Sequence, residues 1–319
     1  MPPDHLTLSA ERLATHVQAL LAGNPLTQVA TEADIDPADL ADAAETYHAA
    51  GLAALQRRQE QSWYAVRLTL PNWEEAEKTF AVRVAPRLDQ LDNGQAAWWF
   101  LRKHPCWRLR VRTNQPDAVT ALLDELVAAG AIDQWRPAIY EPESAAFGGS
   151  AGMDLIHDLH CVDSRGVLAY AHQHTHQLGR RELSLLLIRA LQQHAGLDWF
   201  EAGDVFDRVT QIRPAPAPAD TPRIDNLAER TRPLLTIPVQ ADNPLFAPDG
   251  PAANAAPWLH GFIRAGRQLG EAATAGRLDR GLRAVLAQFV IFHWNRLGLS
   301  ANTQGLLAHA AKTAILPRS

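Results

Sequence analysis

The residues from Trp98 to Thr113 carry a pattern that only extended chain can use. After Pro105, Arg108, Arg110 and Arg112 alternate with Trp107, Leu109 and Val111. Successive side chains of a strand point to opposite faces. Three guanidiniums therefore share one face and three apolar groups the other. Pro105 divides the stretch into two short strands, the first running from Trp98. The apolar face demands a covering layer. The charged face has two outcomes, because like charges at that spacing repel. Its arginines pair with nearby Asp or Glu on a solvated sheet face. Otherwise the face collects an anion, since guanidinium binds carboxylate or phosphate through two parallel N–H bonds.

The flanking segments supply the covering layer. Trp63–Leu70 is rich in strong β-formers and reads as a strand. Pro71-Asn72 starts a helix through about Leu88. Pro116 opens another, with Val119, Leu122, Leu123, Leu126 and Val127 as its apolar stripe and Gly130 as its stop. Trp135–Glu141 is a further strand. Strand, helix, strand, strand, helix, strand is the ferredoxin-like, split βαβ order. It predicts an α+β fold with an antiparallel sheet and two helices on one face. The first and third strands are then central neighbours, and the arginine strand lies mid-sheet.

Residues 1–60 read as a helical N-terminal extension, and residues 61–319 as the α+β domain. Leu13, Val17, Leu20 and Leu21 form a helical stripe ended by Gly23-Asn24-Pro25. Leu26–Ala33 follows, and Asp36-Pro37 suits the N-cap and first position of a longer helix. Three helices joined by short turns resemble a helix-turn-helix unit, which would need a basic recognition helix to bind DNA. Glu32, Asp34, Asp36, Asp39, Asp42 and Glu45 make this segment acidic. It reads as a docking or packing module.

The C-terminal half is largely helical. Gly148-Gly149 demands a turn or close backbone approach. Met153–Cys161 reads as a short helix, with Asp163-Ser164 capping the next segment. His172, His174 and His176 alternate, but no acidic or thiol partner stands at a metal-site spacing. Arg180–Ala195, Trp199–Gln211, Pro257–Ala275, Leu278–Trp294 and a last segment ending near Leu316 are helical. Between them, residues 213–257 are rich in proline. They read as a long surface excursion and a candidate lid or peptide-contacting loop.

Bulk properties exclude some roles. The net charge of −5 gives no field to recruit nucleic acid. Cys106 and Cys161, the two cysteines, form no metal-type pair. Neither a signal peptide nor a membrane-spanning apolar run is visible, so a cytoplasmic location is expected.

Several pieces together resemble one family. Trp98-Trp99-Phe100-Leu101-Arg102 stands with Trp107-Arg108-Leu109-Arg110. Tyr140-Glu141-Pro142-Glu143, Phe147-Gly148-Gly149, Asp163-Ser164 and His293-Trp294-Asn295-Arg296-Leu297 follow in order. Over about residues 62–310 the chain resembles the thiopeptide-type bacteriocin biosynthesis family. That family is also the C-terminal elimination domain of class I lanthipeptide dehydratases, and pyridine synthases are related members. The resemblance implies a lyase of ribosomal-peptide antibiotic biosynthesis. Such a lyase removes glutamate from glutamylated Ser or Thr of a leader-bearing precursor peptide, leaving dehydroamino acids. It also implies two alternatives: a formal [4+2] cycloaddition that builds a pyridine ring and expels the leader, or a non-catalytic peptide-docking subunit of a split dehydratase. The partners implied are the precursor peptide and a glutamylation-type dehydratase, with no DNA, membrane, metal or organic cofactor.

The same resemblance gives residues roles. Arg108 and Arg110 would act on the leaving glutamate, and His293 would serve as acid or base. Arg102, Arg112, Phe147, Asn295 and Arg296 would contact the substrate. One position departs from the pattern. Many dehydratases have Arg-Tyr-Gly-Gly where this chain has Ala146-Phe147-Gly148-Gly149, which weighs toward the alternatives.

Overall fold

The computed structural model describes residues 9–60, 63–173, 176–214, 217 and 221–316, without the side chains of residues 53–60. The chain divides after residue 62 into two compact units. The first holds α1 (Ala10–Leu21), α2 (Leu26–Ala33) and α3 (Pro37–Glu60). Asp36 Oδ1 accepts from the Ala38 N–H at 2.7 Å, and Val17, Val29, Ala30 and Leu40 form a small core.

The second unit opens with β1 (Trp63–Thr69). Its first helix begins at Ala76, later than the Pro71-Asn72 expectation. Asn72 Oδ1 accepts from the Glu74 N–H at 2.8 Å, and that local turn competes with the first helical turn. The helix runs as α4 (Ala76–Thr79), a wide turn over Phe80–Val84, and α5 (Ala85–Leu88). The wide turn leads into Pro86, which has no N–H to donate. Then come β2 (Ala97–Lys103), β3 (Cys106–Arg112), α6 (Pro116–Ala128) and β4 (Gln134–Ala138). The last strand is shorter than Trp135–Glu141, because Pro137 removes a ladder donor and Ile139 already stands 90% exposed.

The four strands lie in the order β2-β3-β1-β4, all antiparallel, as the split βαβ pattern predicts. The inner face carries Val66, Leu68, Trp98, Phe100, Trp107, Leu109 and Val111. It packs on Phe80, Val84 and Leu88 of the first helix and on Val119, Leu123 and Leu126 of α6. Phe80 stacks on Trp107 at 4.9 Å, and Phe100 stacks on it at 4.6 Å.

The helical half comprises α7 (Gly149–Ala171), α8 (Arg180–His194), α9 (Trp199–Ile212), α10 (Thr221–Thr236), α11 (Ala256–Thr274), α12 (Leu282–Arg296) and α13 (Ala301–Ile315). Two expectations change here. Asp163-Ser164 caps nothing: both lie inside one continuous α7 and are fully buried. Their local capping habit is overridden by tertiary partners. Residues 213–257 are not a surface excursion throughout. The spaced Ala228, Thr231 and Leu235 form an inward stripe on α10, and Val239 and Phe246 are buried beyond it. Proline density masked that period. Residues 215–216 and 218–220 of the Pro-Ala run lie outside the described residues, as does His174.

The two halves of this unit join at the free edge of β2. The Phe100 N–H donates to Ser164 Oγ on α7 at 3.1 Å, and the Phe100 carbonyl accepts from Arg296 Nε on α12 at 3.1 Å. An edge strand's open backbone groups are thus satisfied by two side chains.

Candidate active site

His293 and Arg296 meet at one carboxylate inside the helical half. His293 Nδ1 donates to Asp163 Oδ1 at 2.8 Å, and Arg296 bonds Asp163 Oδ2. His293 Nε2 lies 2.9 Å from Ser184 Oγ, which also accepts from Trp294 Nε1 at 2.9 Å. Trp258 Nε1 adds a 3.0 Å bond to Asp163. All of His293, Asp163, Ser184 and Arg296 have zero exposure. Burial alone would push the Asp163 carboxyl up, but His293 and Arg296 together hold it below the usual range. Arg296 also bonds His160 Nδ1, so His160 accepts there. Burial and then Arg296 hold His160 well below the ordinary histidine range. Both nitrogens of His293 are therefore engaged in a buried network, away from solvent.

The arginines of β3 lie elsewhere, on the outer face of the sheet. The Arg110 guanidinium stacks over Trp99 at 4.3 Å and over Tyr140 at 5.5 Å, and NH1 donates to the Arg108 carbonyl at 3.2 Å. Burial pulls its pKa down to about 10, partly countered by Tyr140. Arg112 is exposed and lies over Trp63 at 5.7 Å. Among the described residues, Arg108, Arg110 and Arg112 make no ion pair with a carboxylate. A solvated face with internal Asp or Glu partners is not what this strand builds.

Against Arg110 and Arg112 sits a pair that the sequence reading passed over. The Tyr140 hydroxyl lies 2.6 Å from His157 Nε2. His157 packs on Trp63 at 4.7 Å between ring centroids and is 4% exposed. Burial, then Arg112 and Arg110, push its pKa down to about 4. The imidazole is neutral near pH 7, and in the tautomer protonated at Nδ1 its Nε2 accepts from the phenol. A neutral base, a phenol and two guanidiniums thus share one wall with Trp63 and Trp99. The signal was available: His157, His160 and Cys161 fall at helical spacing on the α7 face toward these tryptophans. Reading Met153–Cys161 as an isolated helix hid it. Burial pushes the Cys161 thiol up to about 12, so it is not a nucleophile near neutrality.

The remaining expected residues are dispersed. Arg102 points to the inner face, where it pairs with Glu77 and lies over Trp107 at 4.8 Å. Arg180 shares that Glu77 at 2.9 Å. Asn295 Oδ1 accepts from Gln304 Nε2 at 2.9 Å, tying α12 to α13. Phe147 is fully buried, edge-on to His160 at 5.6 Å and Phe292 at 5.3 Å. Ala146 presents its carbonyl to Arg280 NH1 at 3.0 Å, from the turn between α11 and α12. Nearby, Glu143 Oε2 accepts from Gln288 at 3.2 Å. Among the described residues, no group of three or more His, Cys, Asp or Glu gathers for a metal ion. Nor is any helix among them long and apolar enough to cross a membrane.

Residues 63–315 match the family described as lantibiotic biosynthesis dehydratase C-term. The chain belongs to this family. Three solved structures share its fold. One is the tRNA-dependent lantibiotic dehydratase MibB from Microbispora sp. 107891, at TM-score 0.58 and 19% identity, covering 80% of this chain. The chain spans only 28% of MibB's length. The second is TsrL, at TM-score 0.55 and 18% identity, covering 81% of this chain and 99% of TsrL. The third is TbtD, the pyridine synthase from thiomuracin biosynthesis, at TM-score 0.53 and 15% identity, covering 80% of this chain and 97% of TbtD. No curated protein matches the sequence.

Proposed function

We propose that this lantibiotic-dehydratase-family chain removes glutamate from glutamylated Ser or Thr of a leader-bearing precursor peptide. The observation that carries the reading is Arg108 and Arg110, which make no carboxylate pair among the described residues, beside the Tyr140–His157 pair. Glutamate leaves as a carboxylate and carries a second one, so its departure needs fixed cations. In this reading the Tyr140 oxygen takes the substrate's α-proton while its own proton passes to His157 Nε2. The Cα–H electron pair becomes the new double bond. The Cβ–O pair leaves with glutamate onto Arg110 and Arg108. Glutamate held at Arg110 would also offset one of the two guanidinium charges that, after burial, lower His157, so the base strengthens where it is needed. His293, Asn295 and Arg296 then serve by positioning α12, and Phe147 by packing under the turn. A glutamylation-type dehydratase would supply the substrate.

The test is mass spectrometry of a glutamylated precursor peptide incubated with the protein. Loss of glutamate is expected, and Arg110→Ala should leave the glutamylated peptide accumulating. Unchanged turnover in that variant would remove Arg110 from the site.

A second reading, pyridine-forming [4+2] cycloaddition, draws on two observations: the chain matches nearly the full length of the pyridine synthase TbtD, and it has Ala146 where many dehydratases have arginine. A peptide bearing two dehydroalanines separates the two chemistries by which substrate changes mass. A peptide that binds and is converted in neither case leaves the docking-subunit role.

A further inference from the structure

The outer face holds more arginine than the proposed chemistry uses. Arg67 of β1 stands directly across from Arg108 on one side and from Arg136 of β4 on the other. Like charges directly opposite in neighbouring strands destabilise a sheet. Here two such pairs share one residue. Among the described residues, neither Arg67 nor Arg136 has a carboxylate partner. Both are exposed. The fold keeps a row of three mutually repelling cations across three of its four strands, and no carboxylate among the described residues pairs with them.

We propose that the Arg108–Arg67–Arg136 row is a docking subsite for an acidic stretch of an extended peptide. Register and charge together define the occupant. Neighbouring strands lie about 4.8 Å apart, so the row is about 10 Å long, too long for one inorganic anion to meet all three guanidiniums. An extended peptide advances about 3.3 Å per residue, so about three residues of it span the row, and acidic residues two apart can each reach a guanidinium. Nucleic acid fits worse. Its single strands need exposed aromatic faces for stacking, whereas Trp63 and Trp99 on this face are 7% and 1% exposed. The row crosses the sheet at Arg67, four residues along β1 from Trp63, on which Tyr140 and His157 pack, so it would anchor peptide beside the reacting residue. It rests on charge and register alone and holds whichever reaction the neighbouring cluster performs.

The test is fluorescence anisotropy on the full chain, reading binding only, with a labelled peptide of alternating Glu and Ser. Its Gln-for-Glu counterpart and a labelled oligothymidylate serve as comparisons. The acidic peptide should bind, with affinity that falls as salt rises, and the Gln peptide should bind far more weakly. Arg67→Gln/Arg136→Gln should weaken acidic-peptide binding about tenfold, the effect of removing two exposed charge contacts. Arg67→Glu/Arg136→Glu should abolish it. Because the wild-type row is self-repelling, the Gln double variant should melt no lower than wild type, which separates lost binding from lost fold. Acidic-peptide affinity unchanged in the double variant would overturn the proposal. So would tighter binding of oligothymidylate, or absence of acidic-peptide binding at low salt.

Discussion

Arg296 and Phe100 lie 196 positions apart and are joined by a 3.1 Å hydrogen bond from the guanidinium Nε to the backbone carbonyl. The same guanidinium also meets Asp163 and His160. One buried side chain therefore closes the edge of the sheet, neutralises a buried carboxylate and fixes the ring behind Trp99. Asp163 gathers His293 and Trp258 into the same junction.

Arg296→Met should destabilise the chain by about 3–5 kcal/mol, because it leaves the Asp163 charge buried without its guanidinium. Arg296→Lys should rescue little, since an ammonium cannot serve three fixed directions from one plane. Chemical denaturation measures both. A loss below about 1 kcal/mol in the Met variant would mean that the junction is not energetically coupled.

Ser164→Ala should cost about 1–3 kcal/mol, the penalty of a buried, unpaired Phe100 N–H. Hydrogen exchange at the Phe100 amide should accelerate, while amides of β4, at the other edge, follow only the global loss. Equal acceleration at both edges would show that Ser164 has no local role.

The His157 ring links stability to pH. Its pKa is about 4 in the folded chain and about 6.5 unfolded. Between those values the unfolded chain binds the extra proton, so stability rises with pH across the window. It is complete above about pH 6.5 and is lost as pH falls toward 4, by about 3 kcal/mol for this one buried group. His157→Gln should flatten the stability curve between pH 4 and 6.5 relative to wild type. Parallel curves would contradict the depressed value.

Tyr140→Phe keeps the ring beside Arg110 and removes the hydroxyl. Turnover of glutamylated peptide should fall about 10²–10⁴-fold, with KM little changed, as for loss of a general base. Arg112→Gln removes the larger of the two charges that depress His157, so the acid limb of kcat/KM should move to higher pH. A Tyr140→Phe variant with wild-type kcat would take the phenol out of the proton path.

Gly149 sits at φ +83, and a Cβ there would collide with the Asp279 carboxylate. Asp279 in turn donates its N–H to the Gly148 carbonyl at 3.1 Å. Gly149→Ala should cost about 1–3 kcal/mol of stability and loosen the turn that carries Arg280 to Ala146. Thermal unfolding reads the first effect. A neutral substitution would mean that this turn adjusts freely.

Alternation and punctuation made the sheet legible in the sequence. Trp107 to Arg112 alternates over six residues, and a strand's period of two leaves one assignment of inner and outer face. Pro105, Pro116 and Gly130 mark boundaries by backbone constraint, a property of single residues. The three β3 arginines on one face, and the central place of their strand, follow from that local chemistry. Asp163, Ser164, His293 and Arg296 were legible as a set but not in their roles. Their types do not say whether an ionisable group faces solvent or a buried partner, and only packing against Phe100, Ser184 and Trp258 decides it. The pairing of Tyr140 with His157, and the placing of Arg67 between Arg108 and Arg136, were decided by tertiary structure alone. Hydrogen-bond register and a helix laid against a sheet bring together residues that share no local pattern. The charge that repels along β3 is written in its sequence. What stands opposite it depends on which strands the fold sets side by side.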